Sequence, residues 1–335
     1  MIPRMGIVQT VLGPVDANDL GPTLVHEHVL ISYPGDTLDP AGRSWDRAAC
    51  IARAVERMEQ LRDHGVRTFV DPCPIDLGRD PELLAEVAQR SGMQIVCATG
   101  FYHEEIGIPW YWRVRTSEEI AELYMHEIEH GIGATGIKPG VIKIATFDPV
   151  GEHDRKVVAA AGMAAVASGL TCITHCENSV GGDVQQDVLA EQGVDLGRCL
   201  IGHQDHTDDP SKLVAIAERG SFVGIDRVGY SILTPEDRRV ELVNALVDAG
   251  HADRVCLSQD HMCCLRSPKF PYAVPPEATE VFKQILPSVY EQMHGRPHTY
   301  LFTDFQPLLE KGGVDRTAFD SMLVDNPRRL FGGAG

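Results

Sequence analysis

The chain has 335 residues, 43% hydrophobic and 23% charged, with 48 acidic against 30 basic residues and a formal net charge of −18. That length suits one large domain or two smaller ones, and the acidic balance, with no local Lys/Arg cluster to offset it, argues against nucleic-acid or anionic-membrane partners. No apolar run reaches the roughly 18 residues of a membrane span. MIPRMGIVQT at the start lacks a basic-then-apolar leader, and nine cysteines without regular spacing fit a reducing cytoplasm better than a disulfide framework.

Taken in chain order, short β-branched runs alternate with stretches of helical spacing. TLVH (23–26) is followed by a helix over 44–63, RTFVD (67–71) by 80–91, QIVCA (94–98) by 117–131 and VIKIA (141–145) by 153–168. LTCIT (170–174) precedes 183–192, CLIG (199–202) precedes 210–219, SFVGI (221–225) precedes 235–249, and VCLSQ (255–259) precedes a helical region over 277–330. Eight nearly continuous apolar strands separated by helices predict buried parallel strands. At this length the expectation is an α/β protein of one domain over 1–335, a (β/α)8 TIM barrel with its site at the C-terminal ends of the strands. Periodicity does not show closure, so a doubly wound open sheet is the alternative. Two connections are long, 101–116 and 261–276, and in a barrel such loops build the substrate pocket.

His-Glu-His interrupts the apolar stretch TLVHEHVLI (23–31). Successive strand side chains alternate, so His26 and His28 share a face and Glu27 takes the other. Such a pair either hydrogen-bonds into a core or grips one ion. Further along, Lys143 lies within GVIKIAT, His175 ends TCITH, His203 ends CLIGH and Asp260 ends VCLSQD. Singly, each has an ordinary structural reading: a core imidazole, a snorkelling lysine, a helix-capping aspartate. Together they place four histidines, one lysine and one aspartate on five of eight strand rims, where barrel active sites lie. Imidazole and carboxylate suit zinc, cobalt, manganese or nickel better than calcium or magnesium. Six such ligands are too many for one tetrahedral ion and suit a pair. A buried lysine that loses its proton could take up carbon dioxide, giving a carbamate with two oxygens to bridge that pair. A hydroxide shared by the ions would be a strong nucleophile at neutral pH.

The set TLVHEHVLI, GVIKIAT, TCITH, LIGHQDHTDD, VGIDR and LSQDH resembles the phosphotriesterase family of the amidohydrolase superfamily, and most of all its phosphotriesterase-like lactonases. The likeness runs from TVLGPVDANDLGPTLVHEH (10–28) to DNPRRLF (325–331). It implies a binuclear centre of two divalent ions, Zn2+ with Co2+ or Mn2+ as alternatives. His26, His28 and Asp260 match the ligands of the buried ion, His175 and His203 those of the exposed ion, and Lys143 the carboxylated bridge. The resemblance also implies a hydrolase acting on small-molecule substrates, in a family that is often dimeric.

Metals shared by phosphotriester, lactone and ester hydrolases do not choose the substrate; the loops do. Organophosphate specialists resemble GHSDDTDD after the last histidine ligand, with an Asp-His pair after the seventh strand whose histidine relays protons. This chain has GHQDHTDD and IDRVG, so His206 stands at the relay aspartate and Arg227 at the histidine. An arginine there is similar to the lactonases, whereas His206 departs from both patterns. Tyr102 resembles the lactonase tyrosine beside the metals, or is a loop aromatic that stacks. Trp110 and Trp112 either line an apolar pocket or anchor their loop, and the Cys263-Cys264 doublet resembles the lactonases but reads first as small residues packed under a loop. The expectation is a lactonase, N-acyl homoserine lactones among its candidate substrates, with weak phosphotriesterase activity. Asp260 is its proton acceptor, with Arg227 and Tyr102 beside it. A phosphotriesterase or carboxylesterase on the same centre is the alternative. The intact ligand set argues against a non-catalytic metal-binding protein, and no GxGxxG follows the first strand to suggest a dehydrogenase.

Overall fold

The computed structural model describes residues 6–40, 45–267, 269, 272, 274–291 and 295–333. A hairpin of β1 (Ile7–Thr10) and β2 (Gly13–Asp16) leads to β3 (Thr23–Leu24) and β4 (His28–Ile31). Then follow α1 (Arg47–Asp63), β5 (Thr68–Asp71), α2 (Pro81–Ser91), β6 (Gln94–Gly100), α3 (Trp110–Arg113), α4 (Ser117–His130), β7 (Val141–Thr146) and α5 (Glu152–Ser168). The chain continues through β8 (Thr171–Cys176), α6 (Gly182–Glu191), β9 (Cys199–Ile201), α7 (Pro210–Glu218), β10 (Phe222–Ile225), α8 (Glu236–Asp248), β11 (Val255–Leu257) and β12 (Met262–Leu265). Last come α9 (Thr279–Tyr290), α10 (Gln306–Lys311), α11 (Arg316–Leu323) and α12 (Asp325–Gly332).

Eight strands form one parallel sheet in the order β3, β5, β6, β7, β8, β9, β10, β11. Its two edges approach above β3 and β11: the Asp260 N–H donates to His26 O at 2.9 Å, and β12 pairs in parallel with β4, Met262 opposite His28. The fold is the expected TIM barrel. Glu27 ties this seam, accepting from Ser258 Oγ (2.8 Å), Gln259 N (2.7 Å) and His261 N (3.1 Å), so the residue between the two histidines closes the barrel. No helix among the described residues is long and apolar enough to cross a membrane.

Successive side chains of each barrel strand alternate between the helices and the barrel interior, so both faces are buried and both are apolar. Phe69, Ile95, Ile142, Cys172, Val223 and Val255 pack outward with the helices, whereas Val70, Val96, Val141, Ile173, Phe222 and Cys256 fill the interior. The parity that sends Val141 and Ile173 inward sends Lys143 and His175 inward one layer higher. Helix starts are marked locally: Asp46, Asp80, Asp209 and Asp315 accept first-turn N–H groups, and Thr116 with Glu119 forms a capping box.

Two expectations differ from the structure. His-Glu-His does not lie inside one continuous strand: His28 opens β4, and His26 and Glu27 fall in the break between β3 and β4. There the His26 N–H turns to Ser258 Oγ (3.1 Å), and the Glu27 N–H reaches Val70 O (3.0 Å). The helical region over 277–330 is not continuous; it divides into α9 to α12, with a wider-coiled segment at Leu301–Phe305.

Candidate active site

At the C-terminal end of the barrel the structure brings His26, His28, Lys143, His175, His203 and Asp260 together. His28 Nε2 lies 3.3 Å from Asp260 Oδ1, His26 Nε2 3.7 Å from the same oxygen, and His203 Nε2 3.6 Å from Asp260 Oδ2. Lys143 Nζ is 3.0 Å from His26 Nε2. The His175 and His203 rings meet edge to face at 4.5 Å. His203 (φ 55°) and Asp260 (φ 47°) both adopt the left-handed backbone region just past β9 and β11. For residues with a side chain that conformation costs on the order of 1–3 kcal/mol and concentrates at functional sites.

Carboxylates behind the histidines decide which nitrogens face inward. Asp226 is fully buried and takes His26 Nδ1 on Oδ2 (2.8 Å) and His203 Nδ1 on Oδ1 (3.0 Å), while Asp71 takes His28 Nδ1 (3.2 Å). For His26 and His203 the bond to Asp226 places the proton on Nδ1 and presents an Nε2 lone pair to the centre, whereas His28 is held, against burial, well above the usual imidazole range by Asp260 and Asp71 and turns its Nε2 to Asp260. Asp226 has room because Gly202 and Gly224 flank it: a Cβ on either would stand 2.9 Å from its Oδ2. His175 is oriented the other way, its Nε2 2.9 Å from Glu177 Oε2.

Electrostatics favour a cation at this place. Burial pushes the His26 imidazole down to about 4, with Lys143 adding to it, and pushes the Lys143 amine down to about 8. Burial alone would raise the Asp260 carboxyl, but His203, His26, His28 and Arg227 hold it well below the carboxylate range. His203 Nε2 is buried and has no hydrogen-bond partner among the described residues. An orphaned imidazole nitrogen, beside an ionised carboxylate and an amine whose charge burial disfavours, belongs to a donor set that a divalent ion would satisfy. His26, His28 and Asp260 offer three ligand atoms within 4.8 Å of one another.

Arg227 and Tyr102 also reach the site. The Arg227 Nε donates to Asp260 Oδ2 at 2.9 Å, and Tyr230 Oη donates to the Asp260 carbonyl at 2.8 Å. Tyr102 is nearly buried, its ring 5.1 Å from that of His175. Both line a cavity of about 410 Å³ over the histidines. Its walls include Tyr33, Leu77, Met262 and Leu265, and α9 supplies Ile285 and Tyr290. Trp110 and Trp112 are not among its walls: Trp110 is 78% exposed, and Trp112 packs on Phe101, anchoring the 101–116 loop. Residues 268, 270, 271 and 273 of the second long loop lie outside the described residues. Cys263 and Cys264 are buried, as are the other seven cysteines, and all nine are free.

Sequence reasoning passes over Asp226, Asp71, Glu177 and His103. Asp71 ends RTFVD and Asp226 follows β10, so strand-end position alone is a signal for both. Glu177 shares the parity of His175. His103 gives no signal; it is fully buried 5.7 Å from the His175 ring, with Nε2 3.2 Å from Tyr272 Oη. For Asp226→Asn we expect metal affinity to fall about 10- to 100-fold, because an amide can accept from only one of the two Nδ1–H groups. Competition with a chromogenic chelator measures it.

The class that this fold and site define is borne out by comparison. Residues 6–331 match the model of the phosphotriesterase family. The chain belongs to that family and is a hydrolase of it. A "Phosphotriesterase homology protein" of Mycobacterium tuberculosis is 34% identical over 97% of each chain. Among solved structures, an organophosphorus hydrolase from Deinococcus radiodurans superposes with a TM-score of 0.87 at 35% identity, covering 99% of each chain. A substituted PTE-like lactonase from the same organism gives 0.86 at 34% identity, covering 97% of this chain and 100% of that one.

Proposed function

We propose that this hydrolase opens lactone rings, N-acyl homoserine lactones being one candidate class, and that it cleaves phosphotriesters as a weaker side reaction. The observation that carries the reading is the Arg227–Asp260 pair at the floor of a mainly apolar cavity. A guanidinium stays protonated and cannot relay a proton away from Asp260. A lactone needs no such relay, because its leaving alkoxide remains tethered beside the carboxylate that must reprotonate it.

Two divalent ions, zinc in our reading, would be held by His26, His28 and Asp260 on one side and by His175 and His203 on the other, with Lys143 between; when bound they supply Lewis acidity toward the acyl oxygen and lower the pKa of water. Lys143, desolvated and partly neutral, adds carbon dioxide at Nζ and releases one proton, giving a carbamate. Asp260 accepts the proton of the attacking water and returns it to the ring oxygen as the C–O bond breaks. Arg227 orients the Asp260 carboxylate, and Tyr102 directs its phenol toward the lactone from beside His175. Apolar walls hold the acyl chain and exclude water. A reducing cytoplasm and a homodimeric assembly complete the reading.

The test compares kcat/KM for N-acyl homoserine lactones, plain γ- and δ-lactones, an aryl ester and an aryl phosphotriester, with and without chelator. Lactones ahead by orders of magnitude, with activity lost to chelator, are the expected result. A phosphotriester or linear ester in front would overturn the substrate assignment.

A further inference from the structure

Residue 206 departs from the family's aspartate, and the structure gives its imidazole two definite partners. His206 follows β9 with a side chain only 9% exposed. Its Nδ1 lies 2.8 Å from Thr234 Oγ1 and its Nε2 3.3 Å from Arg227 Nη1. A guanidinium only donates, so Nε2 must carry the lone pair and Nδ1 the proton, which goes to Thr234 Oγ1. His206 is therefore a neutral acceptor. Burial, opposed by Asp205 and aided by Arg227, agrees by pushing the imidazole down to about 4.

A carboxylate stands next door but serves another cation. Asp205 Oδ2 accepts from Arg239 Nε at 2.6 Å and from the Arg227 backbone N–H at 3.2 Å. Arg239 is fully buried and donates also to the Thr234 carbonyl (2.7 Å) and to Glu236 Oε1 (2.6 Å). One buried arginine thus fixes both the Arg227 backbone, through Asp205, and the threonine that holds His206. At the other end Arg227 Nε reaches Asp260, and Arg227 lines the cavity. Thr234, His206, Arg227 and Asp260 form one line of hydrogen bonds from a buried ion pair to the cavity floor.

We propose that His206 is a positioning residue: a neutral acceptor that fixes the Arg227 guanidinium against Asp260 without placing a further anion against it, so that its remaining charge is available to the acyl group reacting in the cavity. A carboxylate at 206 would also attract the guanidinium but draw charge away, since a further anion beside it competes with Asp260. A hydrophobic residue would keep the charge but free the side chain to swing. The inference rests on the ester-hydrolysis reading above, and it concerns the oxygen on which negative charge develops.

The experiment is steady-state kinetics of metal-loaded His206→Ala, His206→Gln and His206→Asp on the best wild-type lactone, with metal content and Tm recorded for each. Glutamine can place its carbonyl oxygen where Nε2 stands. We expect alanine to lower kcat about 30-fold with KM changed less than about threefold, and glutamine to restore kcat to within about fivefold of wild type. Aspartate should lower kcat at least about tenfold despite unchanged metal content and Tm. Alanine within about twofold of wild type, glutamine no better than alanine while equally stable, or aspartate equal to wild type would each overturn the proposal. Wild type that turns over only phosphotriesters would sink the ester reading instead, and the ranking of the three variants on a phosphotriester would then decide the positioning role separately.

Discussion

Asp260→Asn is expected to lower kcat about a thousandfold while KM moves less than about threefold, because a proton acceptor in the transition state contributes on the order of 10² to 10⁴ in rate. The side chain is nearly isosteric, so packing is kept. What is lost is a carboxylate held ionised by His203, His26, His28 and Arg227. An amide cannot take the proton from the attacking water, and its NH2 group would face either Arg227 Nε or His28 Nε2, both now bonded to oxygen. Stopped-flow or steady-state rates on metal-reconstituted variant check the prediction. Turnover near wild type with metal bound would remove Asp260 from its assigned role.

Lys143→Met is expected to have the second large effect, loss of nearly all activity together with loss of metal. Methionine keeps much of the stem in the barrel interior but removes Nζ, which stands 3.0 Å from His26 Nε2 at the centre of the cluster. Desolvation pushes the buried amine down to about 8, which enlarges its neutral, nucleophilic fraction and favours carbamate formation. Reconstitution of the metal-free wild type should accordingly be slow in buffer stripped of carbon dioxide and fast after bicarbonate is added. Metal analysis against time, with activity followed in parallel, measures both effects. Equal rates in the two buffers would show that Lys143 binds as an amine or not at all.

Much of this site is legible in the amino-acid sequence, for a geometric reason. Strand parity and strand-end position are properties of sequence spacing, and His175, His203 and Asp260 fall at strand ends that the apolar runs mark clearly. Lys143 is legible because a cation within VIKIAT has no surface to reach. The barrel as a class follows from eight apolar strands between helices, whereas closure does not: it depends on the Glu27 carboxylate bonding to Ser258, Gln259 and His261, more than 200 residues away. Asp226 is harder to see because its role exists only once the barrel brings His26 and His203 to the same rim, with Gly202 and Gly224 leaving it space. His26 and Glu27 read as strand interior because propensity cannot register that Ser258 Oγ takes the His26 N–H from the ladder. The partners of His206 are likewise hidden from sequence spacing, since Thr234 and Arg227 approach it from the β10–α8 connection.

The central claim is that these six side chains form a site for two ions, and metal content tests it most directly. Purified wild-type chain, stripped of metal and then reconstituted with zinc in the presence of bicarbonate, should hold two ions per chain by inductively coupled plasma mass spectrometry after gel filtration, with activity rising to its maximum as the second is filled. One ion per chain at full activity, or none with activity unchanged, would contradict it.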